Sequence, residues 1–187
     1  HTIAYGAAAM STGLLRRASE AWGCGFAQGY GMTELSGNAV FLSPDDHRRA
    51  LDDRPELLNS AGRPGPLVAV RIIDTDGTDC PAGQTGEILI RGEQVSAGYL
   101  HQPNETATAF VDGWMHTGDI GYLDGSGYLF IVDRLKDIVI TGGENVASRE
   151  VEDAMSLHPN VQQVAVIGLP DDRWGERVVA VVVPAPG

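Results

Sequence analysis

Residues 133–145 read "DRLKDIVITGGEN". An Asp-Arg pair, a lysine and a second Asp stand directly before a short Ile/Val run, and Gly142-Gly143-Glu144 follows at once. Lys136 is the only lysine in the chain; the other twelve basic residues are arginines. The β-branched run closed by two glycines predicts a strand over "DIVIT" and then a turn. The grammar changes on either side of this stretch. From residue 67 to it, "LVAVRIID", "GEILIRG" and "GYLFIVD" are short β-rich runs punctuated by Gly, Asp and Pro. "DTDG" and "DGSG" read as hairpin turns, and a helix is predicted over about 104–110; together these make a small antiparallel β unit. Beyond Gly143 the pattern turns α/β. A helix over about 148–157, with Ser148 as cap and Val151, Ala154 and Met155 inward, precedes strands "VQQVAVIGL" and "RVVAVVV".

Upstream, residues 1–30 read as strand, helix, strand. "TIAYG" closes on Gly6. "STGLLRRASEAWG" offers Ser11 and Thr12 as caps, Leu14, Leu15, Ala18 and Trp22 at helical spacing, and Gly23 as a stop. "CGFAQGYG" returns to extended chain. Residues 43–66, polar and rich in Asp, Arg and Pro, read as a surface excursion with a helical piece near 45–52. Three parts result: 1–66, 67–134 and 135–187, the last too small to bury a full core.

Hydrophobic content is 43% and charged content 20% over 187 residues, ordinary for a globular protein. A net charge of −12 repels phosphate backbones and anionic lipid, which argues against nucleic acid or a membrane surface as partner. A small phosphorylated ligand needs only a local cluster of donors. No apolar run is long enough to span a bilayer, so no integral membrane segment is expected. Cys24 and Cys80 form no C-x-x-C and read as two reduced thiols of a cytoplasmic protein. "HTIAYGAAAM" lacks the charged start and long apolar core of a signal peptide, and an initiator methionine. The chain opens in mid-pattern, as if cut from something longer.

Three segments can carry chemistry. In "QGYGMTE" (28–34), Gly29 and Gly31 flank Tyr30 and let the backbone approach a ligand closely. Tyr30 suits stacking on a flat base, Thr33 offers a hydroxyl to a phosphate oxygen, and Glu34 a carboxylate to Mg²⁺, which prefers one or two carboxylates plus phosphate and water. An ordinary Gly-rich turn with an exposed Glu is the plainer alternative. In "GWMHTGDIG" (113–121), Asp119 sits at a β-turn, where it can accept both ribose hydroxyls or simply form the turn. His116 has no second His or Cys at ligand spacing and reads as a solvent-facing or core-edge histidine. Arg134 presents a planar fork for a ribose or phosphate oxygen, or else pairs with Asp133 or Asp137. No phosphate-loop NTPase motif, G-x-S-x-G or H-E-x-x-H occurs, and "GYGMTE" lacks the third glycine of the dinucleotide fingerprint.

The order of the segments is more specific than any one of them. "YGAAAM", "GYGMTE", "GEILIRG", "GWMHTGDIG", "GYLFIVDRLKDIVITGGENV" and "EVEDAMSLHPNVQQVAVIGLPDDRWGE" follow one another from residue 5 to residue 176, within a likeness that runs on to residue 183. In this the chain resembles the AMP-forming acyl-CoA synthetases of the adenylate-forming enzymes, and within them the fatty-acid–CoA ligases. The resemblance implies α/β architecture with a β-barrel-like subdomain. Residues 1–66 would be the last α/β elements of a large adenylation domain and 67–134 its β-rich subdomain. Residues 135–187 would be the first half of a small, mobile C-terminal α+β domain.

It implies ATP, AMP, Mg²⁺ and coenzyme A as cofactors or co-substrates and a small carboxylic acid, expected to be a fatty acid, as substrate. It leaves the oligomeric state unknown. Gly6, Ala7 and Ala8 would line the adenine and acyl pocket. Tyr30 would stack on adenine, Thr33 contact the α-phosphate, Glu34 hold Mg²⁺, and Asp119 and Arg134 bind the ribose. Lys136 would be the hinge on which the small domain turns between the two half-reactions, its side chain solvated in both states; a surface charge in a β-turn is the plainer alternative. Gly142 and Gly143 would let pantetheine pass. The family's Thr/Ser/Gly-rich phosphate loop and its C-terminal lysine are not found in these residues, and Ser148 stands near where the family usually has a proline. The chain is therefore expected to be a piece of a longer ligase and, alone, an incomplete catalyst. An acyl-AMP ligase that loads a carrier protein and a non-catalytic AMP- or protein-binding module are the alternatives.

Overall fold

The computed structural model describes residues 1–6, 10 and 12–185 and divides into two compact units. One unit comprises His1–Thr117 and Gly121–Ile131, the other Gly118–Ile120 and Val132–Gly187.

The larger unit opens with a βαβ step. β1 (Thr2–Gly6) and β2 (Gly25–Met32) run parallel, with Gly6 opposite Gly29, and α1 (Thr12–Trp22) makes the crossover. Leu15 and Ala18 form the buried stripe of α1. Leu14 and Trp22, expected inward, are exposed: one residue before Leu15 is about 100° round the helix, and Trp22 in the last turn lies stacked along Phe26. Gly23 ends α1 with φ +56° and gives its N–H to the Ser19 carbonyl. Thr12 is the first residue of α1 rather than its cap, and Ser11 falls outside the described residues. β3 (Gly37–Leu42) pairs antiparallel with β2. α2 (Pro44–Asp52) then starts on a complete capping box between Ser43 and Asp46, with proline in its first turn. β4 (Arg63–Pro64) completes the sheet order β1-β2-β3-β4.

Residues 55–64 are not the surface excursion that their polar composition suggests. Leu57, Leu58, Ser60 and Ala61 are buried, and the two leucines join Leu15, Phe26 and Leu42 in one core cluster. A few apolar residues in a polar stretch suffice when a 3-10 turn (Pro55–Asn59) directs them inward.

A second, curled sheet follows. Its strands are β5 (Val68–Ile73), β6 (Gly86–Gly92), β7 (Phe110–Val111), β8 (Trp114–Leu123) and β9 (Leu129–Arg134). The order is β5-β6-β8-β7, with β9 on β8. α3 (Pro103–Ala109) leads into β7. Alternate residues of β5, β6 and β8 (Ile72, Ile88, Ile90, Met115) pack with Leu35, Val40 and Leu129 in the second core cluster. "DTDG" and "DGSG" are turns closed by Gly77 N–H to Asp74 O and Gly127 N–H to Asp124 O.

The smaller unit has β10 (Val139–Thr141), β11 (Glu144–Val146), α4 (Ser148–Ser156), β12 (Val161–Asp171) and β13 (Gly175–Pro184), in sheet order β11-β10-β13-β12. All its strand pairs are antiparallel, so the unit is α+β rather than a continuation of the parallel pattern. α4 packs on β12. Val151 and Met155 are half-buried, but Ala154 is exposed. No helix among the described residues is long and apolar enough to cross a membrane. Cys24 and Cys80 are free thiols.

Candidate functional site

The stretch 28–34 is the end of β2 and the turn after it. A Cβ on Gly6 would stand 2.6 Å from the Gly29 carbonyl oxygen, and one on Gly31 would stand 1.9 Å from that of Gly37. The neighbouring backbones therefore demand these glycines before any ligand does. A register shift between Tyr30 and Gly31 breaks the ladder with β3, and the half-buried Tyr30 ring packs beside the second core cluster. Thr33–Leu35 is a 3-10 turn that Ser36 ends in the left-handed region, φ +53°. Leu35 anchors the turn with no exposure at all, which leaves Thr33 exposed and Glu34 half-buried. Glu34 is held at two points: its carbonyl accepts from Ser96 N–H at 2.7 Å and its Oε1 from the Tyr99 hydroxyl at 2.9 Å. Burial, and then the Glu34 carboxylate, push the Tyr99 phenol up, so it is a protonated donor at neutral pH.

A further polar pair joins the buried His47 to the half-buried Tyr5. His47 Nδ1 is 2.9 Å from the Ser43 carbonyl and Nε2 is 2.9 Å from the Tyr5 hydroxyl. A carbonyl only accepts, which assigns the proton to Nδ1 and leaves Nε2 as an acceptor that shares the Tyr5 O–H with Gln28 Oε1, 3.2 Å from the same hydroxyl. Burial pushes Tyr5 up to about 12 and lowers His47.

Asp119 does not sit at a β-turn. It lies within β8, buried at 5%, directly after Gly118 with φ +70°. The flanking glycine marked a turn in the sequence, but in the fold it serves as a kink inside a long strand. Arg134, at the end of β9, brings Nε to 3.3 Å from Asp119 Oδ1 while its side chain stays 60% exposed. The expected alternatives, pairing with Asp133 or Asp137, give way to this contact. His116 is a core-edge histidine, its Nδ1 2.9 Å from Glu87 Oε2.

Lys136 lies on a 3-10 turn, Leu135–Asp137, and is exposed. Gly142 and Gly143 take φ +60° and +87°, the two positive values that a two-residue hairpin turn between β10 and β11 requires. The Gly142 N–H donates to the Trp174 carbonyl at 2.8 Å. Ser148 is not the cap of α4. The cap position is Ala147, which has no side-chain acceptor, and the Asp133 carboxylate serves instead. Asp133 Oδ2 accepts from Ser148 Oγ at 3.0 Å and Arg149 N–H at 3.3 Å.

The structure thus places Gly29, Tyr30 and Gly31 at the end of β2 and Thr33 and Glu34 on the turn after it, sets Gly6 beside Gly29, and pairs Asp119 with Arg134. Ala7 and Ala8 lie outside the described residues. Tyr99, Asp133 and the Tyr5–His47 pair were missed in the sequence; the only trace of Tyr99 was a Gly before a Tyr in "SAGYL". No cluster of three metal-ligating side chains exists among the described residues. A single carboxylate such as Glu34 is compatible with a cation that takes its other ligands from phosphate and water.

Residues 1–100 match the family model described as AMP-binding enzyme, and residues 150–187 the one described as AMP-binding enzyme C-terminal domain. The chain belongs to the AMP-binding enzyme family. Among AMP-binding enzymes similar to it is a fatty acid–[acyl-carrier-protein] ligase of Streptomyces coeruleorubidus, 43% identical over 98% of this chain and 34% of the relative. A medium/long-chain-fatty-acid–CoA ligase of Mycobacterium tuberculosis is 43% identical over 97% of this chain and 31% of the relative. The solved o-succinylbenzoate CoA synthetase of Bacillus subtilis, in complex with its acyl-adenylate intermediate, superposes with a TM-score of 0.87. It is 34% identical over 100% of this chain and 37% of that one. The chain spans about a third of the length of these AMP-binding enzymes. Its mixed α/β architecture with a curled sheet is that of the adenylate-forming enzymes.

Proposed function

We propose that the protein carrying this chain is an AMP-forming acid–thiol ligase. It activates a carboxylic acid, in our reading a fatty acid, with ATP to an acyl-adenylate and then passes the acyl group to coenzyme A. The observation that carries this reading is the turn at Thr33–Glu34: an exposed hydroxyl beside a carboxylate fixed by Tyr99, following a glycine-flanked tyrosine. Fatty acids are the named substrates of both 43%-identical relatives, which supports that substrate class.

Tyr30 stacks on adenine, and the Thr33 hydroxyl donates to an α-phosphate oxygen. Asp119, held by Arg134, accepts the two ribose hydroxyls, and Arg134 reaches the ribose from its exposed side. Glu34 would hold Mg²⁺ together with phosphate oxygens, and the cation would offset their charge. Gly6 borders the adenine and acyl group. Residues 135–187 move as a body about Lys136, whose side chain is already in solvent, and the Gly142-Gly143 turn leaves room for the pantetheine arm. We read the protein as cytoplasmic, in keeping with its two free thiols.

The test is AMP release by the full-length protein given ATP, Mg²⁺ and a series of short to long acids, with coenzyme A, with a phosphopantetheinylated carrier protein, or with neither. Acid-dependent AMP release that needs coenzyme A is expected. Release that needs the carrier protein instead would reassign the acceptor, and no adenylate with any acid would overturn the reading in favour of a binding module.

A further inference from the structure

Five hydrogen bonds tie residues 94–99 to residues 34–38, across sequence separations of 56 or more for the side-chain bonds. Four of them hold the turn. Ser96 N–H donates to the Glu34 carbonyl at 2.7 Å, and Ser36 Oγ donates to the Gln94 carbonyl at 2.8 Å. Gln94 Nε2 donates to the carbonyls of Leu35 at 3.0 Å and Asn38 at 3.2 Å. The fifth reaches past the backbone to a side chain: Tyr99 O–H to Glu34 Oε1.

Tyr99 is itself held. Its N–H donates to Thr106 Oγ1 at 2.9 Å, its ring meets Phe110 edge-on at 5.7 Å, and Gly98 before it takes φ +142°. A methyl at residue 98 would stand 2.4 Å from Thr106 Cγ2, so the spacing that sets Tyr99 excludes any side chain there.

We propose that Tyr99 is a positioning residue for Glu34, and that the segment Gln94–Tyr99 sets the carboxylate where a divalent cation held with nucleotide phosphates meets it. The proposal rests on the reading of Glu34 given above. The donor type supports it. An arginine or lysine would offset the charge of the carboxylate, whereas a neutral phenol orients it and leaves the full negative charge for a cation. Hydrogen-bonded outer partners of metal-ligating carboxylates act in this way, and their loss costs about 10–100-fold in metal affinity.

The test is calorimetric titration of the full-length protein with ATP at graded Mg²⁺, and with AMP in the absence of metal. Tyr99→Phe, which removes one oxygen, is expected to raise the Mg²⁺ needed for half of the metal-dependent gain in ATP affinity by about tenfold, with metal-free AMP affinity unchanged. Gly98→Ala, if its thermal melt shows a folded protein, should shift the Mg²⁺ requirement in the same direction by displacing the Tyr99 ring. Glu34→Gln separates the two levels of the argument. If it abolishes the Mg²⁺ gain while Tyr99→Phe leaves it intact, the positioning role is overturned and Glu34 keeps its own. If Glu34→Gln leaves the Mg²⁺ gain intact, the reading of Glu34 falls and the proposal with it. Equal weakening of ATP and metal-free AMP by Tyr99→Phe would show a packing role only and overturn the proposal.

Discussion

In β2, a methyl on Gly31 would stand 1.9 Å from the Gly37 carbonyl oxygen; in the turn between β10 and β11, a methyl on Gly143 would meet nothing within 4 Å. Both glycines lie in stretches that the sequence marks for nucleotide or thiol chemistry. Gly31 is required by a neighbouring backbone, Gly143 by its own φ of +87°. Gly142 stands between the two cases, with φ +60° and a Trp174 ring atom 3.0 Å from its would-be methyl. Glycine in a functional motif thus answers two different steric demands, and only the second is relieved by a residue that tolerates the left-handed region.

Substitutions can break or sharpen that contrast. The largest effect is expected for Gly31→Ala, about 3 kcal/mol of lost stability, because a carbonyl in a paired strand has nowhere to move. Denaturant midpoints of the folded protein would measure it, and a cost no greater than that at Gly143 would sink the contrast. Gly142→Ala should cost about 2 kcal/mol, part backbone and part contact, and should alter Trp174 emission. Gly143→Ala should cost about 1 kcal/mol and Gly143→Asn less, since asparagine enters the left-handed region more readily.

Last comes a slope rather than a step. Burial holds the folded His47 imidazole below its usual value of 6.5, so the unfolded chain takes up a proton that the folded chain refuses. The stability this represents is fully present above the unfolded value. It is lost as pH falls below 6.5 and toward the lower folded value. Unfolding measured from about pH 7.5 to 5.5 should show that decline in the unaltered protein and a shallower one in His47→Gln. Equal slopes would remove His47 from the account.

Much of the element order was legible because it is written locally. "STGLLRRASEAWG" ends on a glycine that takes a left-handed φ, and Gly142-Gly143 turns as its composition predicts. What was hidden depends on partners distant in sequence. Tyr99 meets Glu34 across 65 residues and Tyr128 donates to Asp46 across 82, and nothing in the neighbourhood of one end names the other. Ser148 shows the opposite failure. It has the chemistry of a cap, but a carboxylate fifteen residues earlier supplies the acceptor and the serine becomes a donor to it. Asp119 was misplaced for a similar reason: Gly118 permits a turn, while pairing along β8 keeps the strand running through it.

That carboxylate also makes a ring of the chain. Asp133 binds residues 148 and 149, so the polypeptide leaves its neighbourhood at 134 and returns after 147, with the β10–β11 hairpin inside. A loop of roughly this length closes within about 10–100 ns and a hairpin forms on the order of microseconds. No contact in the ring itself spans more than the 16 residues from Asp133 to Arg149. A carboxylate at the end of one strand thus sets where the next helix begins, while the hairpin inside the ring takes its outer partner from β13.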